Sequence, residues 1–274
     1  GGDAICGECE PAQEGFDFRR SFPLYVMKMD TFMALEKMRM HEEMVAEGLV
    51  FEWEPSMGRL WFMSHQWTSF NHPDAASEQL VTAQGVIRTI RAGHLRDVFA
   101  TEEEFQAYVS KESNRFLNFP VVTAEGMAED ARDGFVWLDY SSVPQAHDAE
   151  EARARAIDSI PYYVDHARVF MALVPRVEHK DLPGTFCDYK SWTERGWCRL
   201  ETQVHELRLF ESIPGELMPG TGVGAIDIPH RPLIVHSPQY CTTYDMFDNF
   251  YMIWQRKNSV FCGEFACCRL GHKR

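Results

Sequence analysis

The chain has 274 residues, of which 45% are hydrophobic and 13% aromatic, enough for a folded core built as one large domain or as a domain with an added lobe. Its formal net charge of −14 argues against nucleic acid and anionic membrane as main partners, because gripping phosphate takes clustered Lys and Arg. No apolar run reaches the length of a membrane span and no basic-then-apolar segment opens the chain, so the expected location is the cytoplasm, with Gly1-Gly2 leaving room for a processed N-terminus.

In chain order, residues 1–22 read as an irregular arm. Residues 30–48 read as a helix, with Phe32, Leu35, Met38 and Met44 near helical spacing and Gly48 ending it. Together, residues 1–58 form an arm and a helix packing on a main domain of residues 59–274. That domain opens with Leu60, Trp61, Phe62 and Met63, a short apolar run closed by polar residues, which is how a buried parallel strand reads. A helix over residues 74–93 turns Leu80, Val86, Ile87 and Ile90 inward. An insertion over about residues 94–133 contains a further helix, whose Thr101 and Glu104 stand at capping-box spacing. Phe135 to Leu138 repeat the pattern of apolar strand and polar loop. A helix interrupted by Pro161 follows, then a third buried strand over 167–175 and a loop to Thr193. Next come a helix from Trp197 to about Phe210, a glycine-containing loop over 218–227, a fourth strand over 231–237 and an aromatic helix over 244–258. Alternating strands and helices imply an α/β sandwich on a parallel sheet.

In such sheets ligands bind at the carboxyl ends of the strands. The residues to inspect are therefore Ser64, His65, Gln66 and Trp67 after the first strand, Asp139, Tyr140, Ser141 and Ser142 after the second, and the start of the helix after the third. In that helix Trp197, Leu200, Val204 and Leu207 mark an apolar stripe. Glu201, four residues from both Trp197 and His205, stacks with them on one flank. Two readings of Glu201 stand open. It is a first-turn charge favoured by the helix dipole, or paired with Arg199, Arg208 or His205. Alternatively it is a partly desolvated acid with a raised pKa.

The other constellations point less to chemistry. Cys198 near a helix start, with His205 or His65 as base, has the parts of an activated thiolate, but no local motif supports more than a packed cysteine. His65, His72 and Asp74 match no metal spacing, and Asp74 reads as a residue near a helix start. Ser64 and His65 are neighbours on a strand and face opposite ways, so they form no nucleophile–base pair. Of the eight cysteines, Cys6 and Cys9 at one end and Cys262, Cys267 and Cys268 with His272 at the other can form a zinc site or disulfides if the termini meet. Reduced, unpaired thiols are the reading preferred.

The order of these pieces resembles a divergent Toll/interleukin-1 receptor (TIR) domain, of a type similar to TIR-like proteins of unicellular algae and other protists. The resemblance rests on "LWFMSHQW", "FVWLDYSSVPQ", "ARVFMALV" and above all "RGWCRLE", which carries a Trp-Cys-x-x-Glu signature after the third strand. It covers about residues 60–209. It implies a flavodoxin-like three-layer sandwich, here with an N-terminal helical extension and inserted helices.

Many TIR domains cleave NAD+ to nicotinamide and ADP-ribose or a cyclic product. The family's catalytic glutamate falls on Glu201. The resemblance implies NAD+ as substrate, no added cofactor and homo-oligomerisation through the domain. By residue type, Trp67, Tyr140 or Trp197 would stack on a ring and Arg195 or Arg199 would meet the diphosphate. Two other readings stay beside it: a non-catalytic TIR-like signalling module that self-associates, and a nucleoside or nucleotide N-glycosidic hydrolase or transferase on a related fold.

Overall fold

The computed structural model describes residues 19–109, 122–211 and 231–243. Nine strands lie among them: β1 Tyr25–Lys28, β2 Val50–Glu52, β3 Leu60–His65, β4 Phe135–Leu138, β5 Val169–Leu173, β6 Val177–Glu178, β7 Phe186–Cys187, β8 Leu233–Ser237 and β9 Tyr240–Thr242. The helices are α1 Met29–Ala34, α2 His41–Ala46, α3 Glu78–Arg91, α4 Glu102–Val109, α5 Ala124–Asp133, α6 Asp139–Ser142, α7 Glu150–Asp158, α8 Ile160–Asp165, α9 Tyr189–Glu194 and α10 Gly196–Glu211.

Seven strands form one sheet in the order β2-β1-β4-β3-β5-β8-β9. Its middle, β4-β3-β5-β8, is parallel, which is a flavodoxin-like order of second, first, third and fourth parallel strand. Antiparallel strands close both edges, β1 and β2 beyond β4 and β9 beyond β8. The order reverses between β3 and β5, and the carboxyl ends at that reversal are where a crevice opens in such sheets.

β3 is buried at every position, as a central parallel strand must be. Its alternation sends Trp61 and Met63 to one face, against Leu80, Val86, Ile87 and Ile90 of α3, Met127 of α5 and Phe32 of α1. Leu60 and Phe62 go to the other face, against Ile160, Tyr163 and Val164 of α8, Trp192 of α9 and Cys198 and Val204 of α10. Phe62 stacks on Trp137 with ring centroids 4.3 Å apart and on Phe170 at 5.7 Å, an aromatic row across three strands. These are the three layers, and the four inward residues expected of α3 are all buried.

Several local readings are corrected. Residues 30–48 are two short helices rather than one. At the end of α1 and in the link to α2, backbone carbonyls meet other parts of the molecule: Gln84 Nε2 donates to the Phe32 and Leu35 oxygens, Ser141 Oγ to the Arg39 oxygen, and His72 Nε2 lies 3.2 Å from the Met38 oxygen. With these partners the segment satisfies its polar groups without continuing the helix. Residues 25–28 and 50–52, outside any expected strand, extend the sheet. The loop expected up to Thr193 contains the β6–β7 hairpin and α9. The helix expected to be interrupted by Pro161 does break, at Ser159, with Pro161 in the first turn of α8, and Thr101 and Glu104 form their capping box, each side chain bonded to the other's backbone N–H. The aromatic helix expected over 244–258 and the loop over 218–227 lie outside the described residues.

At the edge that carries the site, α3 passes tightly under the β8–β9 turn. A Cβ placed on Gly85 would stand 2.5 Å from Pro238 Cβ and 3.0 Å from its Cα. Gly85→Ala is therefore expected to destabilise the fold by about 1–3 kcal/mol through overpacking. A urea midpoint unchanged from the native chain would refute that close approach.

Candidate functional site

Glu201 sits on α10, at the carboxyl edge of the sheet. α10 begins at Gly196 and has no acidic residue in its first turn, so Glu201 is not a helix-dipole charge. The buried face of α10 also differs from the expected stripe. Of that stripe Val204 is in the core, Leu200 packs against it, Trp197 is half-buried and the Leu207 side chain lies outside the described residues, while Cys198, Glu201, Thr202 and His205 are also buried at helical spacing. The helix thus turns a largely polar stripe inward. Thr202 Oγ1 returns its proton to the Cys198 carbonyl at 2.8 Å, and His205 packs on the Phe170 ring at 5.0 Å.

Glu201 is 8% exposed, and its carboxyl accepts a 2.5 Å hydrogen bond from Ser64 Oγ. No arginine pairs with it among the described residues; Arg199 Nε donates to the Thr193 carbonyl instead. Burial pushes its pKa from the ordinary 4.5 up to about 8, against the pull of the Ser64 hydroxyl. Asp139 adds to the rise, while His65 and Arg195 draw it back, so all three lie within electrostatic reach. Ser64 Oγ in turn accepts from Trp192 Nε1 at 3.0 Å. Trp192 stands on α9, whose start is closed by a capping box between Asp188 and Ser191. Gln66 Nε2 bonds the Ser191 hydroxyl at 2.7 Å and the Asp188 carbonyl at 3.2 Å, tying α9 to the end of β3.

His65, one residue on, belongs to the opposite face. Its Nδ1 is 2.8 Å from Gln79 Oε1 and its Nε2 is 2.8 Å from Asp139 Oδ1. Gln79 Nε2 donates to the Gln66 carbonyl, which leaves its oxygen facing His65. Both ring nitrogens thus meet acceptors, and only the imidazolium donates twice. Burial works against that charge, but the Asp139 carboxylate outweighs it and holds the His65 pKa above its ordinary value. Asp139 is likewise resisted by burial and held low by His65 and by hydrogen bonds. Its Oδ1 also takes the Tyr140 N–H at 2.5 Å, and its Oδ2 takes Trp67 Nε1 at 2.8 Å. With both oxygens occupied, Asp139 is suited to hold a loop and fix a charge.

The candidates therefore divide. Ser64 and Gln66 join Glu201 and α9. His65, Trp67, Asp139 and Tyr140 form a second cluster, in which Tyr140 packs edge-on to Trp67 at 5.7 Å and against His72 at 5.1 Å. Ser141 belongs to neither; it is fully buried, its hydroxyl on the Arg39 carbonyl and its own carbonyl 3.1 Å from His41 Nδ1. The N-terminal extension holds the whole loop after β4, since Glu42 Oε1 also accepts the Gln145 and Ala146 N–H groups. Trp197 and Arg195 lie half-buried at the start of α10 and just before it.

Cys198 is a packed thiol, its pKa pushed well up by burial, with Sγ 3.9 Å from the His65 carbonyl. Asp74 accepts the Leu80 N–H at 2.8 Å near the start of α3, as its position suggests. No group of three or more metal-ligating side chains occurs among the described residues, and Cys6, Cys9, Cys262, Cys267, Cys268 and His272 lie outside them. No helix among the described residues is long and apolar enough to cross a membrane.

Two residues that complete these networks, Trp192 and Gln79, were not among the sequence candidates. The sequence signal for Trp192 was the "DYKS" spacing of Asp188 and Ser191, which is that of a helix cap and not of a loop. Gln79 carried none, because a glutamine near a helix start is ordinarily solvated. No family model, no curated protein and no solved structure matches the chain.

Proposed function

We propose that the chain is a TIR-like NAD+ glycohydrolase or cyclase that cleaves the nicotinamide–ribose bond, with Glu201 as its central carboxylate. The observation that carries this reading is a buried glutamate at the reversal point of a flavodoxin-like sheet, bonded to a serine and to no arginine among the described residues.

The chemistry follows from charge. The nicotinamide ring of NAD+ is cationic where it joins ribose. As the C1′–N bond breaks, its electron pair goes to the ring nitrogen, neutral nicotinamide leaves, and positive charge moves to the ribosyl centre. A carboxylate close to that centre stabilises it, and in a desolvated site the attraction is stronger than in water. The same positive charge favours loss of the Glu201 proton when substrate binds. Water then adds to C1′, releasing a proton and giving ADP-ribose, or a ring nitrogen of the adenine adds and gives a cyclic product. Ser64 would hold the carboxylate oriented, and Trp67 or Trp197 would offer a ring face to the substrate.

The test is incubation of the chain with NAD+ at low and high protein concentration, the latter to allow homo-oligomers to form, with chromatography of products. Nicotinamide should appear with matching ADP-ribose or cyclic product. Absence of turnover at every concentration would favour the self-associating module, and cleavage of nucleosides in place of NAD+ would favour the nucleoside hydrolase.

A further inference from the structure

We propose that Trp192 is a positioning residue for Glu201: by donating to Ser64 Oγ, its indole N–H commits the single Ser64 proton to the Glu201 carboxyl. The proposal rests on the reading of Glu201 above.

An indole N–H only donates, whereas a serine hydroxyl donates once and accepts through its lone pairs. At 3.0 Å from Trp192 Nε1, Ser64 Oγ must accept there. Of the two acceptors then left to its proton, Glu201 Oε2 at 2.5 Å and the Cys198 sulfur, the short bond goes to Glu201. Water has little access, since Ser64 is 1% exposed and Trp192 3%. Neither end is free to drift. Ser64 is registered opposite Ala172 in the middle of the sheet. Trp192 is held by the α9 cap, by the Gln66 bonds to that cap, and by the Tyr189 ring stacked 6.1 Å away. A chain of two bonds thus fixes one oxygen of a buried carboxyl and supplies a donor that favours its ionised form. Without the indole N–H, the Ser64 hydroxyl is free to rotate, its proton can turn to the Cys198 sulfur, and the carboxyl loses part of that support.

Trp192→Phe keeps a ring in the same space and removes only the donor. Expected are a fall of about tenfold in kcat/KM for nicotinamide release, the scale of one hydrogen bond, and a shift of its pH profile to higher pH. Loss of packing alone would not move the pH profile. The titration of the Glu201 carboxyl, followed by carbon NMR, should move to higher pH in the same variant, and this readout needs no turnover. Native protein without NAD+ activity would therefore sink the reading of Glu201 while leaving the positioning role measurable. In a Ser64→Ala background, Trp192→Phe should shift the titration no further. An unmoved titration in Trp192→Phe, or an equal shift in the presence and absence of Ser64, overturns the proposal. If Trp192→Phe does not fold, Ser64→Ala decides alone: the Glu201 titration must rise, and an unchanged one refutes the relay.

Discussion

Glu201→Gln is expected to lose at least about 100-fold in nicotinamide release, the scale found when one preorganised electrostatic group is removed from an active site, and to become more stable than the native chain above neutral pH. The two effects share a cause. The native carboxyl ionises only near pH 8, against an ordinary 4.5. A carboxyl whose pKa is raised by folding contributes no ionisation cost below about pH 4.5. Above that, stability is lost progressively as pH rises, until the folded group ionises near pH 8. At pH 8 the cost is on the order of 4 kcal/mol. Glutamine keeps the shape and cannot ionise.

Thermal unfolding of the two proteins from pH 5 to pH 9 should therefore nearly coincide at the acid end and diverge with rising pH, glutamine being the more stable. For the active native chain, kcat/KM reports the free enzyme and should rise with pH and level off above about pH 8. Parallel unfolding curves across the range would show that Glu201 is not the buried acid described. Equal turnover by both proteins would remove it from the chemistry.

Asp139→Ala is expected to cost about 1–3 kcal/mol of folding stability, the range for leaving buried donors without an acceptor, since His65 is buried while the Asp139 side chain itself is 30% exposed. The substitution strands three donors at once: His65 Nε2, Trp67 Nε1 and the Tyr140 N–H. Asp139→Asn does not rescue them. An amide nitrogen in the Oδ1 position meets the Tyr140 N–H, and in the Oδ2 position meets the indole of Trp67, so a donor faces a donor either way.

The pH window of this contribution follows from both partners. The His65 pKa is raised, so its share is complete below about 6.5 and is lost as pH rises through the higher folded value. The Asp139 pKa is lowered, so its share is present above about 3.8 and is lost as pH falls through the lower folded value. Urea unfolding is thus best compared near pH 5 to 6, where both charges are in place. His65→Gln combined with Asp139→Ala should cost less than the sum of the single changes, because neither variant then leaves a buried charge alone. A single-variant cost below about 1 kcal/mol, the range of a surface ion pair, would refute the buried pair.

Much of the parallel core was legible because its signal is local. "LWFM", "FVWL" and "VFMAL" are apolar at successive positions, a pattern that a strand covered on both faces requires. Their alternation with helices gave the class and the carboxyl edge on which to look. The strand period also fixed that Ser64 and His65 would face apart. The edge strands β1 and β2 were not legible, since each is short and defined by its partner. Nor was the break between α1 and α2, where acceptors are claimed by Gln84, Ser141 and His72 from distant parts of the chain.

Glu201 marks the division most clearly. Its residue type, its spacing from Trp197 and its place after the third parallel strand are properties of the sequence. Its burial, the rise of its pKa that follows from burial, and its bond to Ser64 are not. The stripe expected on α10 was apolar, and the face that went inward keeps Val204 of it and adds Cys198, Glu201, Thr202 and His205. Amphipathic spacing tells which residues share a face. Which face is turned inward depends on the polar partners waiting there, and Trp192, Ser64 and the edge of β3 come together only when the chain has folded.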